Sequence, residues 1–135
     1  MSARAEIFTA NLPADPGLLR HFRQQLAAWL EATFVDERTR DAILLAAHEA
    51  AANGIEHGGA PLSVEGRAEP DVILIEVKSA GRWAAHPQVR SDERGRGLAL
   101  MRGLVSEVEV LAEEERTIVR LRTIRSRAQS VQSLP

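Results

Sequence analysis

Residues 44–58, Leu-Leu-Ala-Ala-His-Glu-Ala-Ala-Ala-Asn-Gly-Ile-Glu-His-Gly, constrain the fold more than any other stretch of this chain. On a helical wheel at about 100° per residue, Leu44, Ala47, Ala51 and Ile55 gather on one side. Glu49 and Asn53 fall on the opposite side, one turn apart, and Glu56 and His57 continue that stripe. His48 lies nearer the apolar flank, where a structural role is expected of it. Taken alone, the polar stripe reads as a solvated helix face. Ala50, Ala52 and Gly54 add a second reading, because they leave room for a ligand beside Glu49 and Asn53. A carboxylate and a carboxamide one turn apart suit Mg²⁺ and phosphate chemistry. Asn offers a neutral oxygen to a hard cation, and Glu can take a proton from an attacking hydroxyl. His57 reads either as a cation at a helix C-terminus or as a pocket-lining group.

The punctuation around this segment sets the other elements. Asp36 caps a helix over 37–57 that Gly58-Gly59 closes. Before it, Asp15 and Pro16 open a helix reaching about Thr33. Its stripe is Leu18, Leu19, Phe22, Leu26, Trp29 and Leu30. Residues 6–10 and 62–67 read as strands, and 72–77, Val-Ile-Leu-Ile-Glu-Val, as a strongly β-branched central strand. Residues 80–94 read as a loop, and 97–105 as a short helix. Residues 108–111 and 117–121 pair as a hairpin across 112–116. The order β-α-α-β-β-loop-α-β-β predicts an α+β two-layer sandwich, a mixed, mostly antiparallel sheet with three helices on one face. One domain over 1–125 and a Ser- and Gln-rich tail over 126–135 are expected.

Composition removes whole classes of chemistry. The chain has no Cys, which excludes disulfides, thiolate metal sites and thiol nucleophiles together. Net charge is −2, so no global field draws nucleic acid. No apolar run suits a signal peptide or a membrane span. A cytoplasmic protein without direct nucleic-acid or membrane contact is expected. With aromatics at 4%, Ala, Leu, Val and Ile must fill most of the core. The acidic turn at Glu113, Glu114 and Glu115 reads as a solvated loop.

A second polar motif follows the loop. In Arg94-Gly95-Arg96-Gly97-Leu98-Ala99-Leu100-Met101 the glycines allow close backbone approach, and a helix start presents N–H groups to an anion. Arg94 and Arg96 add positive charge. Alone, a Gly-x-Gly before a helix reads more often as a tight turn. It is neither a Walker loop, which needs a following Gly-Lys-Ser/Thr, nor the dinucleotide fingerprint, which needs a strand immediately before it.

The two motifs in this order resemble the ATP-binding domain shared by gyrase, the 90-kDa heat-shock chaperones, histidine kinases and mismatch-repair ATPases. Within that group the chain is most similar to the small bacterial anti-sigma-factor serine/threonine kinases, over residues 6–122. The resemblance implies ATP and Mg²⁺ as cofactors. It implies Glu49 as general base and Asn53 as the Mg²⁺ ligand. Gly81 would sit beside the adenine, residues 82–94 would form the ATP lid, and Gly95 and Gly97, with Leu98 after them, would approach the phosphates. Thr117 would hydrogen-bond near the adenine. Such kinases dimerise, sequester a sigma factor and phosphorylate an anti-anti-sigma factor. The chain departs from the family at Ser79, where the family carries an Asp that accepts a hydrogen bond from the adenine amino group. A neutral acceptor is weaker, by about 1–3 kcal/mol, or roughly ten- to a hundredfold in affinity. Two functions therefore stand side by side: an active serine kinase, and a regulator that sequesters its partner without phosphate transfer. A histidine kinase's catalytic half is disfavoured, since none of His21, His48, His57 and His86 has a phosphoacceptor context.

Overall fold

The computed structural model describes residues 7–13, 15–58, 61–80, 92–113 and 115–125, with backbone alone at 16, 57, 58 and 92–96. Glu6, Gly81, loop residues 82–91 and the tail 126–135 lie outside the described residues.

Strand β1, Ile7–Leu12, leads into a short 3-10 turn at Pro16–Leu18 and helix α1, Leu19–Ala32. Asp15 caps the 3-10 turn by accepting the Gly17 N–H at 2.9 Å, and Pro16 has no N–H to lose there. Leu19, Phe22, Leu26 and Leu30 are the buried stripe of α1. Leu18, expected in that stripe, precedes the α-helix and is exposed, because the 3-10 turn has a different period from the helix behind it. Trp29 is half-buried and lies over Gly66 of the sheet, with its ring 5.7 Å from that of Phe8.

Phe34 turns the chain between helices with a φ of 62°, a left-handed conformation rarely adopted by a bulky residue. The turn is tied from both sides. Thr33 Oγ1 donates to the Leu30 carbonyl at 2.7 Å, and the Arg125 guanidinium donates to the carbonyls of Thr33 and Glu69 at 2.7 and 2.6 Å. Asp36 then caps α2, Glu37–Gly58, by accepting the Thr39 N–H at 2.8 Å. Those Thr39 hydrogen bonds hold the Asp36 carboxyl below its ordinary range.

Strands β2, Leu62–Ala68, and β3, Val72–Ala80, form a hairpin. Helix α3 spans Asp92–Leu104, and strands β4, Glu107–Glu113, and β5, Arg116–Ile124, form the last hairpin. The sheet order is β1-β2-β3-β5-β4, and every neighbouring pair is antiparallel, the limiting case of the sheet expected. The result is an α+β fold of two layers, a five-stranded sheet and three helices. β2 alternates strictly, with Leu62, Val64, Gly66 and Ala68 buried and the residues between exposed. The core joins that face of the sheet to the buried faces of α1 and α2, with Ile73, Ile75 and Val77 of β3 at its centre.

The other face of the sheet is polar. Across β3, β5 and β4, Arg120 Nε donates to Glu76 at 2.6 Å and its Nη1 to Glu109 at 3.1 Å. Arg122 pairs with Glu107 at 3.7 Å. Among the described residues no helix is long and apolar enough to cross a membrane.

Candidate functional site

Three polar side chains are buried at one end of the sheet: Asn53, Ser79 and Thr117. Each arrives from a different element. β3 runs on to Ala80, past the end expected at residue 77, and carries Ser79 inward. β5 pairs with it in register so that Thr117 stands directly opposite Ser79. α2 crosses above both. A Cβ placed on Gly54 would lie 3.2 Å from the Ser79 Cβ and 2.8 Å from Leu62 Cδ2. Gly54 therefore sets how closely α2 descends on the sheet, and with it the depth of its neighbour Asn53. Sequence reading assigned Gly54 only to leaving room for a ligand. A glycine inside a helical pattern is also a signal of close approach, and that signal pointed to the sheet.

The polar stripe of α2 does not face water at Asn53, which is only 6% exposed. α3 covers it. A Cβ on Gly97 would fall 2.7 Å from Glu49 Oε2 and 3.4 Å from Asn53 Nδ2. The backbone of α3 thus rests on the two residues singled out as base and cation ligand. The solvated reading of this stripe fails at its central residue, because the covering residue, Gly97, is 44 residues away in sequence.

Helix α3 begins at Asp92, ahead of the glycine pattern, so Gly95 and Gly97 lie within the helix and not before it. This corrects the helix expected over 97–105. The backbone of Arg94, Gly95 and Arg96 belongs to its first turns, and Leu98 is half-buried against the core. Gly81 lies outside the described residues, and of His57 only the backbone in the last turn of α2 is described.

His48 faces α1 and not the polar cluster. Its Nδ1 lies 3.2 Å from Arg23 Nη1. Burial, then the Arg23 charge, hold its imidazole below the ordinary histidine range, against an opposing pull from Glu49. A neutral ring accepting from Arg23 is a helix-to-helix contact, in keeping with the structural role expected of it.

The donor set is sparse and hard. Among the described residues no cluster of three or more His, Cys, Asp or Glu could hold a metal by itself. One carboxamide with a carboxylate beside it fits Mg²⁺, which keeps waters and shares its remaining positions with ligand phosphates. It would not retain Ca²⁺ or Zn²⁺ without further ligands.

The histidine kinase-like ATPase domain profile matches residues 12–123. Among solved structures, the RsbU and RsbW domains of Rv1364c from Mycobacterium tuberculosis are 25% identical, with a TM-score of 0.74. The match covers 93% of this chain and 34% of that one, so the chain spans about a third of its structural neighbour. No curated protein is similar enough in sequence to count as a relative.

Proposed function

The chain belongs to the histidine kinase-like ATPase domain family, and from that premise we propose that it is an anti-sigma-factor-type serine-protein kinase. It binds ATP with Mg²⁺, sequesters a sigma factor and phosphorylates a Ser or Thr of an anti-anti-sigma factor. The working unit is residues 1–125, with 126–135 as a tail, in a cytoplasmic dimer. The observation that carries this reading is the burial of Asn53 between α2 and α3, with Ser79 and Thr117 buried at the strand ends close by. Pockets for polar ligands set a few placed polar groups in an otherwise apolar lining, and this amide and these two hydroxyls have that disposition.

The residues divide the work. Asn53 holds the cation. Glu49, one turn earlier on the same helix, takes the proton of the incoming Ser or Thr hydroxyl. Ser79, Thr117 and Gly81 are assigned to the adenine. Arg94, Gly95, Arg96 and Gly97 are assigned to the phosphates, with Leu98 anchoring their helix, and His57 is assigned to the nucleotide as well. ATP would supply the phosphoryl group, and Mg²⁺ held at Asn53 would supply charge neutralisation.

The edges of the sheet support the dimer. β4 uses its charged side chains within the sheet, where Glu107, Glu109 and Glu113 pair with Arg122, Arg120 and Arg116 of β5. β1, Ile-Phe-Thr-Ala-Asn-Leu, carries no charge, and two copies of it pair without repulsion.

Ser79 favours a second reading, a regulator that binds its partner without transferring phosphate. Calorimetric titration with ATP·Mg²⁺ of the native chain beside Ser79→Asp separates the two. Micromolar binding by the native chain supports the kinase. Binding by Ser79→Asp alone supports the regulator.

A further inference from the structure

Gly103 of α3 differs from Gly54, Gly66 and Gly97. A Cβ on those three would lie 2.8, 3.1 and 2.7 Å from a neighbouring side chain. At Gly103 it would meet nothing within 4 Å, and the backbone there is not left-handed. Neither close packing nor a helix cap calls for this glycine, although glycine weakens a helix. Gly103 opens instead on a groove of about 470 Å³ between α2 and α3. Ala42 and Leu45 of α2, Leu104 of α3 and Thr123 of β5 line it, and Arg38 and Asp41 add one charge of each sign. Leu45 is 46% exposed, and so, at 41%, is Leu100, one turn before Leu104 on α3. Apolar residues scattered singly need no partner, but gathered along a groove they mark a place where something docks.

The chain itself supplies an occupant. Thr123 is a wall of the groove, and two residues later Arg125 is tied down. Its backbone N–H donates to the Asp71 carbonyl at 2.9 Å, and its guanidinium to the carbonyls of Thr33 and Glu69. Residues 126–135, Ser-Arg-Ala-Gln-Ser-Val-Gln-Ser-Leu-Pro, follow. They carry a single charge, at Arg127, and two large apolar side chains, Val131 and Leu134. The wall from Thr39 to Leu45 is about 9 Å of helix. An extended chain from Arg125 reaches up to about 20 Å by Val131, more than enough to lie along it.

We propose that residues 126–135 fold back into this groove, with Val131 and Leu134 against Leu45, Leu104 and the open side of Gly103. Leu45 stands one turn before Glu49 on the same face of α2, so the docked segment ties α3 to α2 beside the polar cluster. The inference does not depend on nucleotide binding.

The test uses the absence of Cys from the native chain. Gln132→Cys carries a single nitroxide label between Val131 and Leu134 in the full ¹⁵N-enriched chain. The expected result is loss of the amide signals of Ala42, Leu45, Gly103 and Leu104, restored when the nitroxide is reduced. The loss disappears when the labelled chain also carries Val131→Ser and Leu134→Ser, changes confined to the segment. It disappears too in Gly103→Gln, whose longer side chain fills the groove and favours the helix. No local signal loss overturns the proposal, as does a loss that survives either variant. Signal loss from a label on unenriched chain mixed with unlabelled enriched chain gives the groove to a second copy, and also overturns it.

Discussion

Glu76 and Asn53 are both polar residues pressed between neighbouring elements, and the fold treats them in opposite ways. Glu76 stands on the open face of the sheet, where Arg120 answers it at 2.6 Å and Glu109 completes the row. That ladder is made from register alone, since β3, β5 and β4 place Glu76, Arg120 and Glu109 side by side. Asn53 lies on the helix face, inside, where charge interactions are strong and polar groups are expensive to hide. The open-face row satisfies itself. The inner cluster of Asn53, Ser79 and Thr117 is neutral and buried, and Glu49 lies one turn from Asn53 on the same helix.

That contrast can be broken by substitution. Glu49→Ala is expected to lower phosphate transfer by about 10²–10⁴, the usual contribution of a general base, while calorimetric ATP affinity holds. Unchanged transfer would remove Glu49 from that role. Gly54→Ala drives a methyl group into Leu62 and Ser79. It is expected to destabilise by about 1–3 kcal/mol in chemical denaturation and to weaken nucleotide binding by lifting Asn53 off the sheet. Equal stability with native affinity would show that α2 has slack there. Arg120→Gln, on the open face, is expected to cost only about 0.2–1 kcal/mol and leave ATP binding unchanged. A large loss of affinity would join the two clusters into one.

The smallest effect concerns pH. Burial and Arg23 hold the His48 pKa below its ordinary value, so the folded chain binds a proton there less readily than the unfolded chain. The stability tied to neutral His48 is full above the ordinary value of about 6.5. It is lost as pH falls through the folded value. Denaturation midpoints should therefore drop as pH falls below about 6.5, with a shallower slope in His48→Gln. An unchanged slope would assign the loss to other groups.

The sequence carried local chemistry well. Asp36 announced α2 and the β-branched run of β3 marked the middle of the sheet, whereas Asp15, expected to open α1, caps the 3-10 turn before it and α1 begins at Leu19. Glu49 and Asn53 were legible because two residues four apart on one helix share a face whatever the tertiary fold. What covers that face was not legible. Gly97 reaches Glu49 only through the packing of α3 on α2, and no periodicity within either helix records the other's position. The start of α3 was missed for a related reason. Gly95 and Gly97 argue locally for a turn, yet the helix runs through them. Leu18 failed because helical spacing was extended across a 3-10 turn.

The sheet order has a consequence for how the chain is made. β5, the last strand in sequence, lies inside the sheet between β3 and β4. During synthesis from the N-terminus, β1, β2 and β3 can pair while one side of β3 waits for a neighbour. The waiting segment contains Val-Ile-Leu-Ile-Glu-Val, an apolar run rich in β-branched residues, with its peptide groups unpaired. A nascent chain halted in the loop before α3 would offer that open edge to any extended strand nearby. Until β5 is made, that side of β3 has no partner within the chain.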